Sequence, residues 1–360
     1  MSQQDFIKGR GTAIQPNARF ESTHTEAQDD GWIGDLEETP QITRTHITEE
    51  RARSIISHNS SPDVPIDASL NPYRGCEHGC SYCFARPTHA YLNLSPGLDF
   101  ETKLFAKTNA AAVLEAELAK PSYRCVTITL GTNTDPYQPI ERRYAITRQV
   151  LEVLARTRHP VAIITKNALI ERDLDLLVDL ARDNLVRVMV SITTLDNRLS
   201  SKLEPRASAP HRRIETVRAL SAAGVSVSVL VAPVIPMITD RFLEEILQRS
   251  HAAGAQSAGY VLIRLPHEVK DIFRDWLRVH FPDRAEHVMS LIQQMRGGRD
   301  YDARFGTRMK GEGVFADLLK ARFARMQRQL GLGLRSENPL NTSLFQPPRK
   351  LQPQGDLFAR

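Results

Sequence analysis

The chain has 360 residues, 41% of them hydrophobic, enough for a substantial core; its 47 lysines and arginines against 42 acidic residues give a formal charge of +5, which permits an anionic partner without requiring one. Four cysteines, three of them crowded together, lack the paired spacing of a secreted disulfide framework, and no cationic, apolar leader opens the chain, so the cytoplasm is the expected compartment. The longest apolar candidates, around Val225 to Ile238, are broken by Pro233 and Pro236 and fall short of the roughly 20 residues a spanning helix needs, so no membrane role is expected.

Residues 1–60 read as an N-terminal arm, partly disordered, polar and without a sustained period, with Phe20 and Trp32 as anchors onto the body. Within it, Ile42 to His58 reads as a polar helical segment. A first strand at Ala68 to Tyr73 follows the turn-rich NSSPDVPIDASL, and a cysteine-rich loop comes directly after it. The chain then alternates. Strands are expected at Thr102 to Ala106, Val126 to Leu130, Val161 to Thr165, Val186 to Ile192, Val225 to Val231 and Gly259 to Ile263. Helices are expected at Asn109 to Leu118, Thr147 to Thr157, Leu169 to Arg182, Arg212 to Ala223 and Arg241 to Ala253, the last two closed by Gly224 and Gly254. Parallel neighbours need helical crossovers, so residues 61–266 are expected to form an α/β core, a partial (βα)6 TIM-like barrel. Residues 267–335 read as a C-terminal helical extension, with helices at Glu268 to His280, Arg284 to Gln294 and Phe315 to Gln329 packed across the barrel's open side. Residues 336–360 read as a loop-like tail carrying the apolar pegs Leu344, Phe345, Leu357 and Phe358.

The segments after the strands are polar, proline-bearing or charged: GTNTDPYQPIE, TKNA, TTLDNRL, APVIP and RLPHE. In a βα barrel such segments meet at one mouth, where catalytic groups gather. No Gly-x-Gly-x-x-Gly turn or Walker-type loop follows any strand, which argues against dinucleotide binding by a doubly wound sheet. Farther on, Arg296, Arg299, Arg304, Arg308 and Lys310 stand among Tyr301, Phe305 and several glycines, a composition suited to phosphates and flat rings, so a nucleotide or nucleic acid is an expected partner.

The densest chemistry is in NPYRGCEHGCSYCFARPTHAY, Asn71 to Tyr91, which puts Cys76, Cys80 and Cys83 within eight positions. One short loop with this spacing turns three thiolates toward a common centre, the ligand type that soft metals and iron–sulfur clusters prefer. The competing reading is structural zinc with His78 or His89 as fourth ligand, stabilising a nucleic-acid-binding module without catalysis. Structural zinc sites recruit two separated pairs of ligands, whereas here no second pair exists and Cys125 lies far along the chain. Three thiolates and one open coordination position fit a catalytic cluster better.

The pattern Cys-x-x-x-Cys-x-aromatic-Cys, formed by Cys76, Cys80, Tyr82 and Cys83, resembles the hallmark of the radical S-adenosylmethionine superfamily. With TNTDPYQP and LEPR, the chain resembles its bacterial branch related to spore photoproduct lyase. That resemblance implies a lyase-like radical enzyme in which the three cysteines hold a [4Fe-4S] cluster and the open iron binds S-adenosylmethionine. An external one-electron donor of flavodoxin or ferredoxin type would then drive cleavage to a 5'-deoxyadenosyl radical. It also implies that Thr134 and Asp135 meet the methionyl amino group, Lys166 the methionyl carboxylate, Ser191 the ribose or adenine edge, and Tyr82 the adenine through its backbone. Arg206 is a further candidate for carboxylate or substrate contact. The lyase has a hydrogen-donor cysteine just before its Thr-Ser-Asp segment, and Gly131 to Asp135 contains none, which argues against thymine-dimer repair by that route. Cys125, Tyr137, Tyr73 and Tyr301 are the candidate relays in its place, against the commoner reading of each as a packed side chain.

Overall fold

The computed structural model describes residues 7–20, 44–64, 66–333 and 339–348. The expected anchor Trp32 and the pegs Leu357 and Phe358 lie outside the described residues. Ten strands are present among the described residues: β1 His46–Glu50, β2 Ile56–His58, β3 Ala68–Leu70, β4 Tyr73–Arg74, β5 Lys103–Lys107, β6 Ile128–Leu130, β7 Val161–Thr165, β8 Val186–Ser191, β9 Ser226–Val234 and β10 Ser257–Leu262. The strands β6 to β9 are rich in valine, isoleucine and threonine, and they are buried on both faces, as parallel strands covered by helices require.

The main sheet has the order β10-β9-β8-β7-β6-β3-β2. From β3 to β10 all neighbours are parallel, and β2 joins the edge antiparallel to β3. The order never reverses, unlike that of a doubly wound sheet, so the structure is the expected partial barrel. Hydrogen bonds among the described residues do not close it. Helices Ile146–Arg156, Leu174–Arg182, Pro210–Ala222 and Leu243–Ala252 make the crossovers and bury Val150, Leu154, Leu177, Val217 and Ile246. The registers pair Thr165 with Val190 and Ser191 with Leu230. Lys166, Ser191 and Ala232 therefore stand side by side at the mouth.

Several expected elements take a different form. The segment expected to be helical from Ile42 to His58 holds β1 and β2 instead, because β1 pairs with the distant β5 and β2 with the nearby β3. The first strand divides: Ala68–Leu70 stays in the barrel, and after Pro72 the chain crosses to a second sheet of order β1-β5-β4. The helix expected from Leu169 begins as a 3-10 turn, Ala168–Asp173, capped by the Asn167 side chain on the Leu169 amide at 3.0 Å.

The C-terminal helices Val269–His280, Ala285–Gln294 and Val314–Leu330 form as expected, but the last packs outside the barrel. Its Arg322 binds Glu244 at 2.7 Å and its Phe323 ring lies 4.8 Å from Tyr260. What spans the open side is the connecting segment, where Arg308 grips Asp63 through two hydrogen bonds of 2.6 and 2.7 Å. Of the tail pegs, Phe345 packs 5.5 Å from Tyr123 and 5.2 Å from His159, while Leu344 is exposed.

Candidate active site at the barrel mouth

The cysteine loop is built on two glycines and one buried ion pair. Gly75 and Gly79 turn the chain at φ +72° and +66°, and a Cβ at Gly79 would stand 2.7 Å from Glu101 Oε2. The Cys76 amide donates to the Phe100 carbonyl at 2.9 Å and the Ser81 amide to the Leu203 carbonyl at 3.1 Å. Arg86, fully buried, pairs with Glu101 and donates from Nε to the Cys80 carbonyl at 2.9 Å. Residues 7–20 lie over this loop. The Gly11 amide donates to Glu101 Oε2 at 3.0 Å, and a Cβ on Gly11 would fall 1.6 Å from the Gly79 carbonyl oxygen.

Cys76, Cys80 and Cys83 open onto one wall of a cavity of about 550 Å³ whose other walls include Asp135, Lys166 and Ser191. Burial raises the pKa of all three thiols; Asp135 adds to the effect at Cys76 and Glu204 at Cys80, while Lys166 opposes it at Cys80 and Cys83. Thiols held protonated in this way lose their protons on binding a metal. Among the described residues no three His, Cys, Asp or Glu side chains are already grouped around a metal position. The donor set nevertheless fits a soft-metal cluster: three thiols on one wall, those of Cys76 and Cys80 buried and that of Cys83 partly so, with Cys125 not on it. A fourth zinc ligand is poorly provided. His78 has Nε2 at 3.1 Å from Asn167 and Nδ1 at 3.4 Å from Asp135, and His89 sits off the cavity with Nε2 on the Lys103 carbonyl at 2.9 Å.

The strand-end groups form one network. Asp135 accepts from the Lys166 amide at 2.8 Å, Thr165 Oγ1 at 2.8 Å and the Tyr137 amide at 2.9 Å, which fixes its carboxylate. Lys166 Nζ lies 2.7 Å from Ser191 Oγ, 3.0 Å from Glu204 Oε1 and 5.8 Å from the Tyr82 ring centroid. Glu204 is the hub. Buried, it pairs also with Arg213, and accepts from the Tyr82 hydroxyl and from Thr193 Oγ1 at 2.6 Å. Burial pushes its carboxyl up, but the charges of Arg213 and Lys166 outweigh that and hold it well below the usual range.

Of the residues singled out from the sequence, the three cysteines, Tyr82, Thr134, Asp135, Lys166 and Ser191 line this cavity. Thr134 is buried there with Oγ1 donating to the Tyr73 carbonyl at 3.3 Å. Arg206 does not line it; its guanidinium binds Glu77 at 2.7 Å and its amide donates to the His78 carbonyl at 3.3 Å, so it braces the cysteine loop from behind. None of the four candidate relays lines it either. Cys125 precedes β6, at the end of the strand away from the mouth. Tyr137 is fully buried beside Asp173, Tyr73 is buried with its hydroxyl on Glu141, and Tyr301 lies in the C-terminal connection. Sequence reasoning passed over Glu204, Thr193 and Arg213. Glu204 stands two positions before Arg206 in LEPR, and nothing in the polar run NRLSSKLEPR distinguishes it from a solvated acid.

The basic stretch is largely satisfied within the protein. Arg296 is 2% exposed and donates to the carbonyls of Thr307 at 2.7 Å and Ile263 at 2.8 Å. Arg304 pairs with Asp302 at 2.7 Å and Arg308 with Asp63 at 2.6 Å. Arg299 and Lys310 are in no ion pair among the described residues.

The Radical SAM superfamily model matches residues 70–249, half of the chain, and the protein belongs to the radical SAM superfamily. An uncharacterized protein of Mycobacterium tuberculosis (strain ATCC 25618 / H37Rv) is 40% identical over 233 residues, which cover 64% of this chain and 68% of that protein. An uncharacterized protein of Methanocaldococcus jannaschii is 26% identical over 171 residues, 48% of this chain and 61% of that protein. Among solved structures, spore photoproduct lyase complexed with dinucleoside spore photoproduct aligns with a TM-score of 0.57 at 16% identity over 79% of each chain. A mutant of that lyase with bound AdoMet and dinucleoside spore photoproduct aligns with a TM-score of 0.55 at 15% identity, again over 79% of each chain. At these identities the likeness is one of fold.

Proposed function

We propose that this chain is a lyase-like radical enzyme in which Cys76, Cys80 and Cys83 hold one [4Fe-4S] cluster and the mouth residues hold S-adenosylmethionine. The observation that carries the reading is the opening of all three thiols onto the cavity that Asp135, Lys166 and Ser191 share. When bound, the cluster and S-adenosylmethionine would supply reductive sulfonium cleavage and a carbon radical that takes hydrogen from a substrate.

The chain's own groups suit the zwitterionic cofactor. Lys166 presents an ammonium for the methionyl carboxylate, held in place beforehand by Ser191 and Glu204. Asp135, its carboxylate fixed by two amides and a hydroxyl, would take the methionyl ammonium with Thr134 beside it. The Ser191 hydroxyl and the Tyr82 backbone serve the nucleoside half. Arg206 acts through Glu77 as a brace. An external flavodoxin- or ferredoxin-type protein supplies the electron, in the cytoplasm, where free thiols persist. A cavity of about 550 Å³ sits inside the usual small-ligand range of roughly 300–1,000 Å³ and must take the cofactor too, so the substrate is a small molecule or a single nucleotide-sized group.

Anaerobic reconstitution tests this. The protein should turn brown with about four irons per chain, lose the colour on Cys80→Ala, and release 5'-deoxyadenosine from S-adenosylmethionine after dithionite reduction. Lys166→Ala should weaken cofactor binding about tenfold or more while iron content holds. A colourless protein carrying one tight zinc would sink the reading.

A further inference from the structure

The mouth has a second cationic wall that the cofactor reading does not use. Arg264 follows the end of β10, three strands along the sheet from Lys166 at the end of β7. Its guanidinium lies 4.9 Å from the centroid of Phe84, the residue that follows Cys83, and its Nη1 meets Met309 Sδ at 3.5 Å. Its Nε is buried with no hydrogen-bond partner, and among the described residues no carboxylate pairs with it. The other arginine on the cavity wall, Arg308, is neutralised by Asp63. Behind Arg264, the buried Arg296 has its pKa pushed down to about 10, first by burial and then by the charge of Arg264. A half-buried cation without a counter-charge costs free energy that a bound anion would recover.

We propose that Arg264 is the receptor for an oxyanion, a carboxylate or phosphate group, on the substrate, with Phe84 supporting the guanidinium from below. The fork of a guanidinium accepts either group through two parallel hydrogen bonds. Val64, Ile66, Leu262 and Met309 line the same end of the cavity and would receive an apolar part of the same molecule. The substrate class is therefore a small amphipathic anion. The proposal rests on the radical-enzyme reading only in calling that anion a substrate, because the anion site itself needs no cluster.

Titration calorimetry on the reconstituted full-length protein, with inorganic phosphate and with succinate as probes, tests it with and without saturating S-adenosylmethionine. Saturable binding of at least one probe is expected under both conditions, weakened about tenfold or more in Arg264→Gln and unchanged in Arg299→Gln, an exposed residue off the cavity. Binding of phosphate alone assigns a phosphoryl group, and of succinate alone a carboxylate. Should Arg264→Gln not fold, Arg264→Lys, which keeps the charge but loses the fork, is expected to weaken binding in the same direction. No saturable binding of either probe, or equal binding by the Arg264 variant, overturns the proposal. So does loss of binding when S-adenosylmethionine is present, which would give Arg264 to the cofactor's carboxylate. Iron and sulfide measured on the same samples separate the two readings: low iron with intact anion binding refutes the cluster and supports the anion site.

Discussion

At Glu204 a single buried carboxylate satisfies Arg213, Lys166, Tyr82 and Thr193 together. Removing its charge leaves two cations in a dry site, so Glu204→Gln is expected to lower unfolding free energy by about 3–5 kcal/mol in denaturant melts, the usual cost of breaking a buried pair. Arg206→Gln breaks a pair whose arginine is 37% exposed and should cost about 1 kcal/mol or less. Equal losses would show that Glu204 is no hub. The pH dependence has a definite sign. Because the folded carboxyl of Glu204 is held below its ordinary value, its contribution is present above the usual carboxylate range and is lost as pH falls through the depressed folded value. The acid limb of the stability curve should be shallower in Glu204→Gln than in the unaltered protein.

Among the elements, the segment 7–20 and the cysteine loop are one construction. Gly11 lies so near Gly79 that any side chain must push the two backbones apart, and the same stretch anchors Glu101, the partner of Arg86. Gly11→Ala should therefore cost about 1–3 kcal/mol, as overpacking does, and should reduce iron retained after reconstitution. Retained iron equal to that of the unaltered protein would mean that the arm merely rests on the loop. The sequence suggests Phe20 as an anchor for this arm; its ring lies 5.0 Å from Tyr91, but both side chains are exposed. The sequence could not reveal Gly11 against Gly79, because nothing local distinguishes a glycine in close contact from one in a turn.

At the scale of the whole molecule, the net charge of +5 invites a nucleic-acid reading that the paired arginines weaken. Five free cations in residues 296–310 would give a slope of log affinity against log salt of about −4.5, whereas Arg299 and Lys310 alone would give about −2. Fluorescence anisotropy with duplex DNA over a salt series distinguishes them, and the shallower slope is expected. A slope near the steeper value would restore this stretch as a phosphate-binding face.

The cysteine spacing, the βα alternation and the polar strand ends were legible in the sequence because each is a local pattern with a fixed period or spacing. They determined the partial barrel and the placing of Asp135, Lys166 and Ser191 at one mouth, since parallel strands must all end on the same side. Pairing partners were not legible. Whether Ile56–His58 is strand or helix depends on β3, whether Arg308 is free depends on Asp63, and whether Arg206 meets the cavity depends on Glu77. Glu204 and Arg264 show the same limit from opposite sides: one acid holds several distant partners and one cation has no counter-charge among the described residues. Only the tertiary structure decides which charges meet, because an ion pair is fixed by distance in space and not by separation along the chain.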